Sequence, residues 1–246
     1  HIVFDNSNNL ENIGSNCFTN TCINEMEISQ IMKTIDYSFK KKKDEMYHFI
    51  KPNLIEIITE IYIPSHVNEI NFHAFCGCPK LEKVEIIDPQ NSKLKIIADG
   101  AFFNCSSLHE FNIPENVNYF GYESFKNCTK YKVSINVSNN KKIFIGKSSF
   151  ENSGITSFNS NCNYIKVNDF AFQNCPNIVN FSVNALNKCF IGKSVFRNCV
   201  LLKKVKINQN VLNIKIGENC FMNSSIVKFK VPQNLNEIPA SCFKLC

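Results

Sequence analysis

The chain has 246 residues, of which 44% are hydrophobic, and 27 Lys and Arg against 21 Asp and Glu give a formal net charge of +6. This apolar fraction is typical of a folded protein and excludes a disordered chain. The basic excess is small and alternates with acids, so we expect no nucleic-acid partner. No apolar run approaches about 18 residues, so we expect no direct membrane insertion. The chain lacks a starting Met and a signal peptide, and we interpret it as a mature form or a fragment.

Residues 10–28 contain the first copy of a motif that returns along the chain. Here Ile13 lies five residues before Phe18, the compact Cys17 comes directly before the Phe, and Asn20 follows two residues after it. Eight further copies, 22 to 27 residues apart, are centred on Phe75, Phe102, Phe125, Phe150, Phe172, Phe196, Phe221 and Phe243. A repeat of this period indicates a solenoid in which each copy forms one coil.

The motif is missing between residues 29 and 57. The apolar residues of this segment lie near one face of a predicted helix: Ile31, Ile35, Phe39, Met46, Phe49 and Ile50. Lys51 and Pro52 would end that helix. We interpret 29–57 as a degenerate repeat with an inserted helix, which is either a decayed coil or an insertion that contacts a partner.

Residues 58–246 contain the regular repeats. After each Phe comes an apolar-x-x-apolar-x-apolar pattern, as in Leu81, Val84 and Ile86, whose last two positions alternate like a half-buried strand. Each coil is predicted to contain this strand, a turn, a second extended piece and one short helical turn that carries the Phe. No coil can bury its apolar side alone, so about ten stacked coils share one core. Phe172 is expected to stack between its neighbours in the series.

The combined pattern I-P-x-x-V-x-x-I-G-x-x-A-F-x-x-C-x-x-L-x-x-V-x-I resembles the BspA-type leucine-rich repeat, over residues 10–28 and about 54–246. The resemblance implies one leucine-rich-repeat solenoid over residues 1–246, a right-handed curved rod that is mostly β, with a parallel sheet on its concave side. This family is known from surface proteins of bacteria and protozoan parasites, whose members are discussed as adhesins and binding modules. The resemblance therefore implies a binding module and not an enzyme.

Most of the 13 cysteines occupy two positions of the repeat. Six lie three residues after a Phe and three lie directly before one: Cys78, Cys105, Cys128, Cys175, Cys199, Cys246, Cys17, Cys220 and Cys242. Ser, Thr, Ala or Val replace them in other copies, which indicates a small buried site. Neighbouring coils keep such side chains ~4.8 Å apart, whereas disulfide Cβ atoms lie ~3.8 Å apart, so we expect free thiols. The sequence does not decide whether disulfides form among the cysteines outside these positions, which are Cys22, Cys76, Cys162 and Cys189.

No group of residues in the sequence indicates catalysis, a metal or a cofactor. His73, Cys76 and Cys78 lack the paired ligand spacing of structural zinc sites, and no acid accompanies His66 or His73 beside Cys76. We therefore expect no catalytic residue, no bound metal and no cofactor.

Five Asn residues begin an N-x-S/T acceptor sequence, but only Asn136 and Asn180 are plausible glycosylation sites in a secreted chain. The other three are Asn104, Asn127 and Asn223, which lie two residues after a Phe. The Asn at that position is expected to satisfy backbone groups of the turn, and a glycan there would break the stack of coils.

Candidate binding residues lie on the predicted concave face, between the buried positions of the strands. This face is acidic near the N-terminus and basic near the C-terminus, and its candidate residues are Lys132, Asn180, Ser182, Lys204, Lys206, Lys228 and Lys230. These charges either keep the sheet soluble or form a graded binding face for an anionic surface.

We expect a protein or an anionic glycan as the partner of this face. The last coil ends at Cys246 without a polar cap, which predicts that the natural chain continues or that this end self-associates. Two functions follow. One is an adhesion or recognition module that is secreted or lies at the cell surface. The other is an intracellular leucine-rich-repeat scaffold, since free thiols persist in a reducing cytoplasm.

Overall fold

Each regular coil has a first and a second strand position. At both positions, alternating apolar residues place one face of the strand in the core. The computed structural model describes residues 58–246, apart from the side chains of 139–141, and the backbone of three strands before residue 58. Every strand pair is parallel. A parallel β-solenoid results, as the repeat predicts.

The strands fall into two sheets. They are β1 (Ile2–Val3), β2 (Glu25–Glu27), β3 (Thr34–Ile35), β4 (Glu60–Pro64), β5 (Glu69–Ile70), β6 (Lys83–Ile87), β7 (Ile96–Ile97), β8 (Glu110–Phe111), β9 (Tyr119–Phe120), β10 (Ser134–Ile145), β11 (Ser157–Val167), β12 (Asn180–Ile191), β13 (Lys204–Ile207) and β14 (Asn213–Ile216). One sheet has the order β1-β2-β4-β6-β8. The other has the order β13-β12-β11-β10-β9-β7-β5-β3, with β14 beside β12.

Three long strands, β10, β11 and β12, span both strand positions of their coils. The first half of β12 pairs with β13, and its second half pairs with β14. The first-strand face comprises the outward side chains of β4, β6, β8 and β13 and of the first halves of β10 to β12. The second-strand face comprises those of β5, β7, β9 and β14 and of the second halves of β10 to β12.

The predicted segment 29–57 contributes one strand to the described structure. Thr34 pairs with Glu69 and Ile35 with Ile70, so Ile35 takes the same position as Ile70 in the sheet. At these two residues the structure has a strand where the sequence predicted a helix, in keeping with their β-branched side chains. The rest of 29–57, and the first repeat outside β2, lie outside the described residues.

The repeated Phe residues form a continuous stack inside the solenoid. Phe172 is fully buried and lies between Phe150, at 5.2 Å between ring centroids, and Phe196, at 5.4 Å. Both neighbouring rings are within 8° of parallel to it, which confirms the expected packing. Eight rings from Phe75 to Phe243 follow one another in this way. Residues 58–246 thus make about seven turns, fewer than the ten expected for the whole chain.

The segment around each Phe is not the predicted helical turn. The residues two before and two after the Phe have positive φ, for example Asn198 at 62° and Ser194 at 54° on either side of Phe196. Alternate N–H groups donate to the next coil, as Phe196 does to the carbonyl of Cys220 at 2.7 Å. A helix would direct these groups along its own chain, so bonding between coils replaces it. The three-residue 3₁₀ helix Pro89–Asn91 is the only helix in the part of the chain that the structure describes. No described helix has the length and apolar character of a membrane span.

The Asn two residues after the Phe suits both the backbone conformation at that position and a side-chain hydrogen bond between coils. Positive φ favours Asn among non-glycine residues. Its side chain was expected to satisfy the turn, but it bonds to the same position one coil earlier. Asn127 Nδ2 donates to Asn104 Oδ1 at 2.7 Å, and Asn198 Nδ2 donates to Asn174 Oδ1 at 2.8 Å. These amides therefore join neighbouring coils.

The thiols three residues after the Phe are hydrogen-bond donors. Cys175 Sγ donates to the carbonyl of Phe150 at 2.9 Å, and Cys199 Sγ to that of Phe172 at 3.0 Å. Each thiol thus satisfies the carbonyl of the stacked Phe one coil earlier. All described cysteines are free thiols, including Cys76, Cys162 and Cys189. Cys17 and Cys22 lie outside the described residues.

Candidate functional site

The middle of the first-strand face consists of amides that bond to one another across the strands. There are two ladders, Asn136 with Asn159 and Asn180, and Asn161 with Asn184 and Asn208. Within each ladder Nδ2 of one Asn donates to Oδ1 of the Asn one coil earlier, at 2.8 to 3.0 Å. Parallel strands ~4.8 Å apart bring amides within bonding distance. The result is an ordered, neutral and polar surface.

Two rows of the first-strand face end at lysines. The register places Ser134, Ser157, Asn180 and Lys204 in one row and Asn136, Asn159, Ser182 and Lys206 in the next. The predicted residues Asn180 and Ser182 thus lie directly beside Lys204 and Lys206. Both lysines are exposed, and neither forms an ion pair within residues 58–246.

Lys228 and Lys230 are exposed but do not lie on the expected second lysine strand, because no strand forms after β14 in the described chain. Gln233 N donates to the carbonyl of Gln209 at 3.1 Å, but no regular ladder follows. Val231 takes the last apolar position of the repeat pattern in this coil, a position predicted to be buried, but it is 46% exposed. The two lysine pairs therefore do not form one sheet surface.

Lys132 lies outside the rows to which it was assigned. The strand position that Ser157 fills in β11 is filled in β10 by Ser134, and Thr156 N bonds to the carbonyl of Val133. Two residues separate Tyr131 from Ser134, whereas one separates Ile155 from Ser157. Lys132 is therefore an inserted residue, exposed at the entrance to β10. Apolar spacing alone misaligned this coil.

The N-terminal part of the first-strand face carries charges that are paired with each other. Lys83 Nζ lies 2.6 Å from Glu85 Oε2, and the hydroxyl of Tyr62 donates to Glu60 at 2.6 Å. The charge of Lys83 is thus partly neutralised, unlike that of Lys204. The backbone of Glu25 is in register with Glu60.

The two glycosylation candidates belong to the same amide ladder. Asn136 is exposed and Asn180 is half-buried. Asn180 Nδ2 is the atom that a glycan would modify, and it donates to Asn159 Oδ1 at 2.8 Å. A glycan there would cover the centre of the first-strand face.

The titratable groups of the interior are held in neutral forms. Burial raises the pKa of Cys175 and of Cys189 to about 12, and that of the half-buried Cys76 to about 11. Burial lowers the pKa of His73. Thiols with such pKa values are poor nucleophiles at neutral pH. Within the described ranges, no three His, Cys, Asp or Glu side chains are grouped so that they could hold a metal ion.

The second-strand face carries half-buried aromatic and exposed basic side chains that the sequence analysis did not single out. Outward positions of β10 to β12 and β14 include Phe144, Lys166, Phe190 and Lys215, which are neighbours in register. In the sequence, each of these side chains belongs to the residue directly before the Ile or Val that lies five residues before the repeated Phe. It was missed because only the first strand of each coil was considered as a binding surface, whereas the second extended piece was given no outer face.

Comparisons with solved structures give leucine-rich repeat proteins of low identity. A T. pallidum leucine-rich repeat protein is 20% identical, with a TM-score of 0.42, over 68% of this chain and 63% of that chain. A leucine-rich cell surface protein from Faecalibacterium prausnitzii A2-165 is 17% identical, with a TM-score of 0.41, over 96% of this chain and 68% of that chain. A Bacteroides ovatus leucine-rich repeat protein is 18% identical, with a TM-score of 0.31, over 77% and 76%.

The chain spans 63% of the length of the T. pallidum protein. No curated protein sequence matches this chain. The family model described as "BspA type Leucine rich repeat region" matches in six copies, over residues 2–45, 53–144 and 133–246. This match extends over most of the sequence. The chain belongs to the BspA-type leucine-rich repeat family.

Proposed function

We propose that this chain is a non-catalytic recognition module that binds a protein or an anionic glycan at a cell surface or outside the cell. Its family supports an interaction role. The observation that carries the proposal is the first-strand face, where ordered amide ladders run into Lys204 and Lys206. Ordered polar groups lose little conformational freedom when a partner binds, and lysines without an ion-pair partner attract an anionic one.

The test is binding of the purified chain to intact cells, measured by flow cytometry at low and at physiological salt. The variant Lys204→Glu/Lys206→Glu changes the two lysines of the first-strand face. It should lose binding and keep its fold, because these side chains face water. The matched control makes the same charge change at two exposed lysines elsewhere, Lys80 and Lys130. Equal loss in both variants would show that only net charge matters, and no loss in either would remove the face from consideration.

A second candidate is an intracellular scaffold, which the free thiols of the core favour. Surface labelling of intact cells with an antibody to this chain distinguishes the two. Labelling without permeabilisation supports the surface module. Labelling only after permeabilisation supports the scaffold.

A further inference from the structure

The second-strand face presents lysines and aromatic rings in alternation across four strands. One row of outward positions contains Phe144, Lys166, Phe190 and Lys215. The next row contains Lys142, Tyr164 and Lys188. All four lysines are exposed and the three rings are half-buried. These seven residues are called the aromatic–lysine patch below.

No acidic residue belongs to the two rows of the patch, although Asp169 lies beside them. None of the four forms an ion pair with any residue in 58–246. The acids nearby are already engaged, since Asp169 Oδ1 accepts from Lys193 N at 2.8 Å and Glu218 lies 3.4 Å from Lys193 Nζ. Lys166 and Lys215 are two strands apart, roughly 10 Å. The patch is therefore a cationic surface that attracts anions, most strongly at low salt.

A pocket of about 290 Å³ opens inside the patch. Lys166, Phe190 and Lys215 line it, together with Asp169 and Gly192. Gly192 is required for this shape, because a Cβ there would lie 2.5 Å from Asp169 Oδ1. The pocket thus combines an aromatic ring with an ammonium group on the strand to either side, and a carboxylate that can accept from hydroxyl groups.

These features fit a sugar ring that carries anionic groups. The apolar face of a sugar can pack on Phe190 while sulfate or carboxylate groups contact Lys166 and Lys215. A polymer of such sugars could contact further lysines along both rows. Single-stranded nucleic acid fits less well, because it needs ring faces on which successive bases stack. In the patch, the ring of Phe144 stacks on that of Tyr119 with 4.8 Å between ring centroids, and the ring of Tyr164 meets that of Phe190 edge to face at 6.0 Å. These rings therefore do not form a row of parallel faces for successive bases.

We propose that the aromatic–lysine patch is a binding site for a sulfated or carboxylated polysaccharide. The inference rests on the proposed function in that the chain is a recognition module, and it names the class of partner. It uses a different surface from the first-strand face, so either proposal can fail alone.

The first experiment measures binding of the chain to immobilised heparin by surface plasmon resonance. The parent should bind, and binding should weaken as salt increases. The variant Lys166→Glu/Lys215→Glu should lose more than about tenfold in affinity. The matched control is Lys80→Glu/Lys130→Glu, which has the same charge change at two exposed lysines outside both faces and should stay within about twofold of the parent. Circular dichroism verifies that both variants are folded.

Three results would overturn the proposal: no binding by the parent, equal loss in both variants, or loss only in the control. A third variant, Lys204→Glu/Lys206→Glu, separates the patch from the first-strand face. Loss of heparin binding in this third variant, with none in Lys166→Glu/Lys215→Glu, would overturn the patch and leave the first-strand face of the proposed function intact. Loss of heparin binding only in Lys166→Glu/Lys215→Glu would support the patch.

The second experiment separates a shaped site from a charged surface. Phe190→Ser removes the ring, so it should weaken heparin binding by about tenfold. It leaves the charge of the patch unchanged, so the salt dependence of binding should stay the same. Phe72→Ser, at an exposed ring outside the patch, is its control. Binding of Phe190→Ser at parent affinity would overturn the site. Tighter binding of a 20-nucleotide thymidine strand than of heparin would overturn the polysaccharide in favour of nucleic acid.

Discussion

At the scale of the residue, the stacked Phe carries much of the packing. The ring of Phe172 is fully buried between parallel rings at 5.2 and 5.4 Å. Phe172→Ala would leave a gap in the stack and should lower the free energy of unfolding by ~3–5 kcal/mol. Phe103→Ala is the control: because Phe103 is half-exposed, this substitution should lower the free energy of unfolding far less. Thermal unfolding followed by circular dichroism measures both. Equal melting temperatures for parent and both variants would contradict the assigned packing.

Buried thiols predict a loss of stability in alkali. Burial raises the pKa of Cys175 from an ordinary 9.0 to about 12 in the folded chain. Above pH 9 the unfolded chain loses protons that the folded chain keeps, so stability falls between pH 9 and 12, by up to about 1.4 kcal/mol per pH unit for each such thiol. Cys175→Ser removes one of the thiols that cause this pH dependence, so the free energy of unfolding should fall less steeply with pH in the variant. Denaturant unfolding at pH 8, 9, 10 and 11 tests this, and identical pH slopes for parent and variant would exclude the mechanism.

Thiol labelling gives an independent check at the same scale. Cys246 is exposed, whereas Cys76 is half-buried with a pKa of about 11. At pH 8 only about one in a thousand Cys76 side chains is a thiolate, so its labelling should be slow and should accelerate as the pH rises. Mass spectrometry of native protein after brief alkylation should find Cys246 modified well before Cys76 or Cys175. Labelling of Cys175 as fast as Cys246 would contradict the buried thiol positions.

At the scale of the element, the turn between strand and Phe requires close contact of two backbones. A Cβ on Gly146 would lie 2.5 Å from the carbonyl carbon of Gly121 and from the backbone N of Tyr122. Gly146→Ala should therefore push the two coils apart and destabilise the fold by about 1–3 kcal/mol. Lys147→Ala, one residue on and exposed, should have little effect. Comparison of their unfolding midpoints measures the difference, and equal midpoints would rule out the close contact.

At the scale of the whole molecule, the last coil leaves apolar side chains exposed. Ile238 is 55% exposed, Leu245 68% and Val227 97%. The sequence analysis predicted either that the natural chain continues here or that this end self-associates. For these 246 residues we propose association with a second copy, because such side chains gain by leaving water. Light scattering should show an average mass that rises with protein concentration, and Ile238→Lys/Leu245→Lys should suppress the rise. A constant monomer mass for the parent at high concentration would contradict self-association.

The sequence by itself determined the repeat, the solenoid, the buried Phe and Cys positions, and the alternation of strands such as β13. These follow from spacing within one coil, since a residue type that recurs every 22 to 27 positions needs the same environment each time. Local spacing could also identify Lys204 and Lys206 as outward, because they alternate with the buried Val205 and Ile207.

Only the tertiary structure decided what depends on register between coils. Lys132 is an inserted residue and therefore lies outside the rows of the sheet. The described residues after β14 form no strand, which separates Lys228 and Lys230 from the sheet. The turn around each Phe bonds to the next coil and not along its own chain, so no local helix pattern applies. The aromatic–lysine patch joins residues more than 20 positions apart, such as Lys166 and Phe190. Parallel pairing brings them side by side, and spacing within a single coil carries no information about which neighbours they will meet.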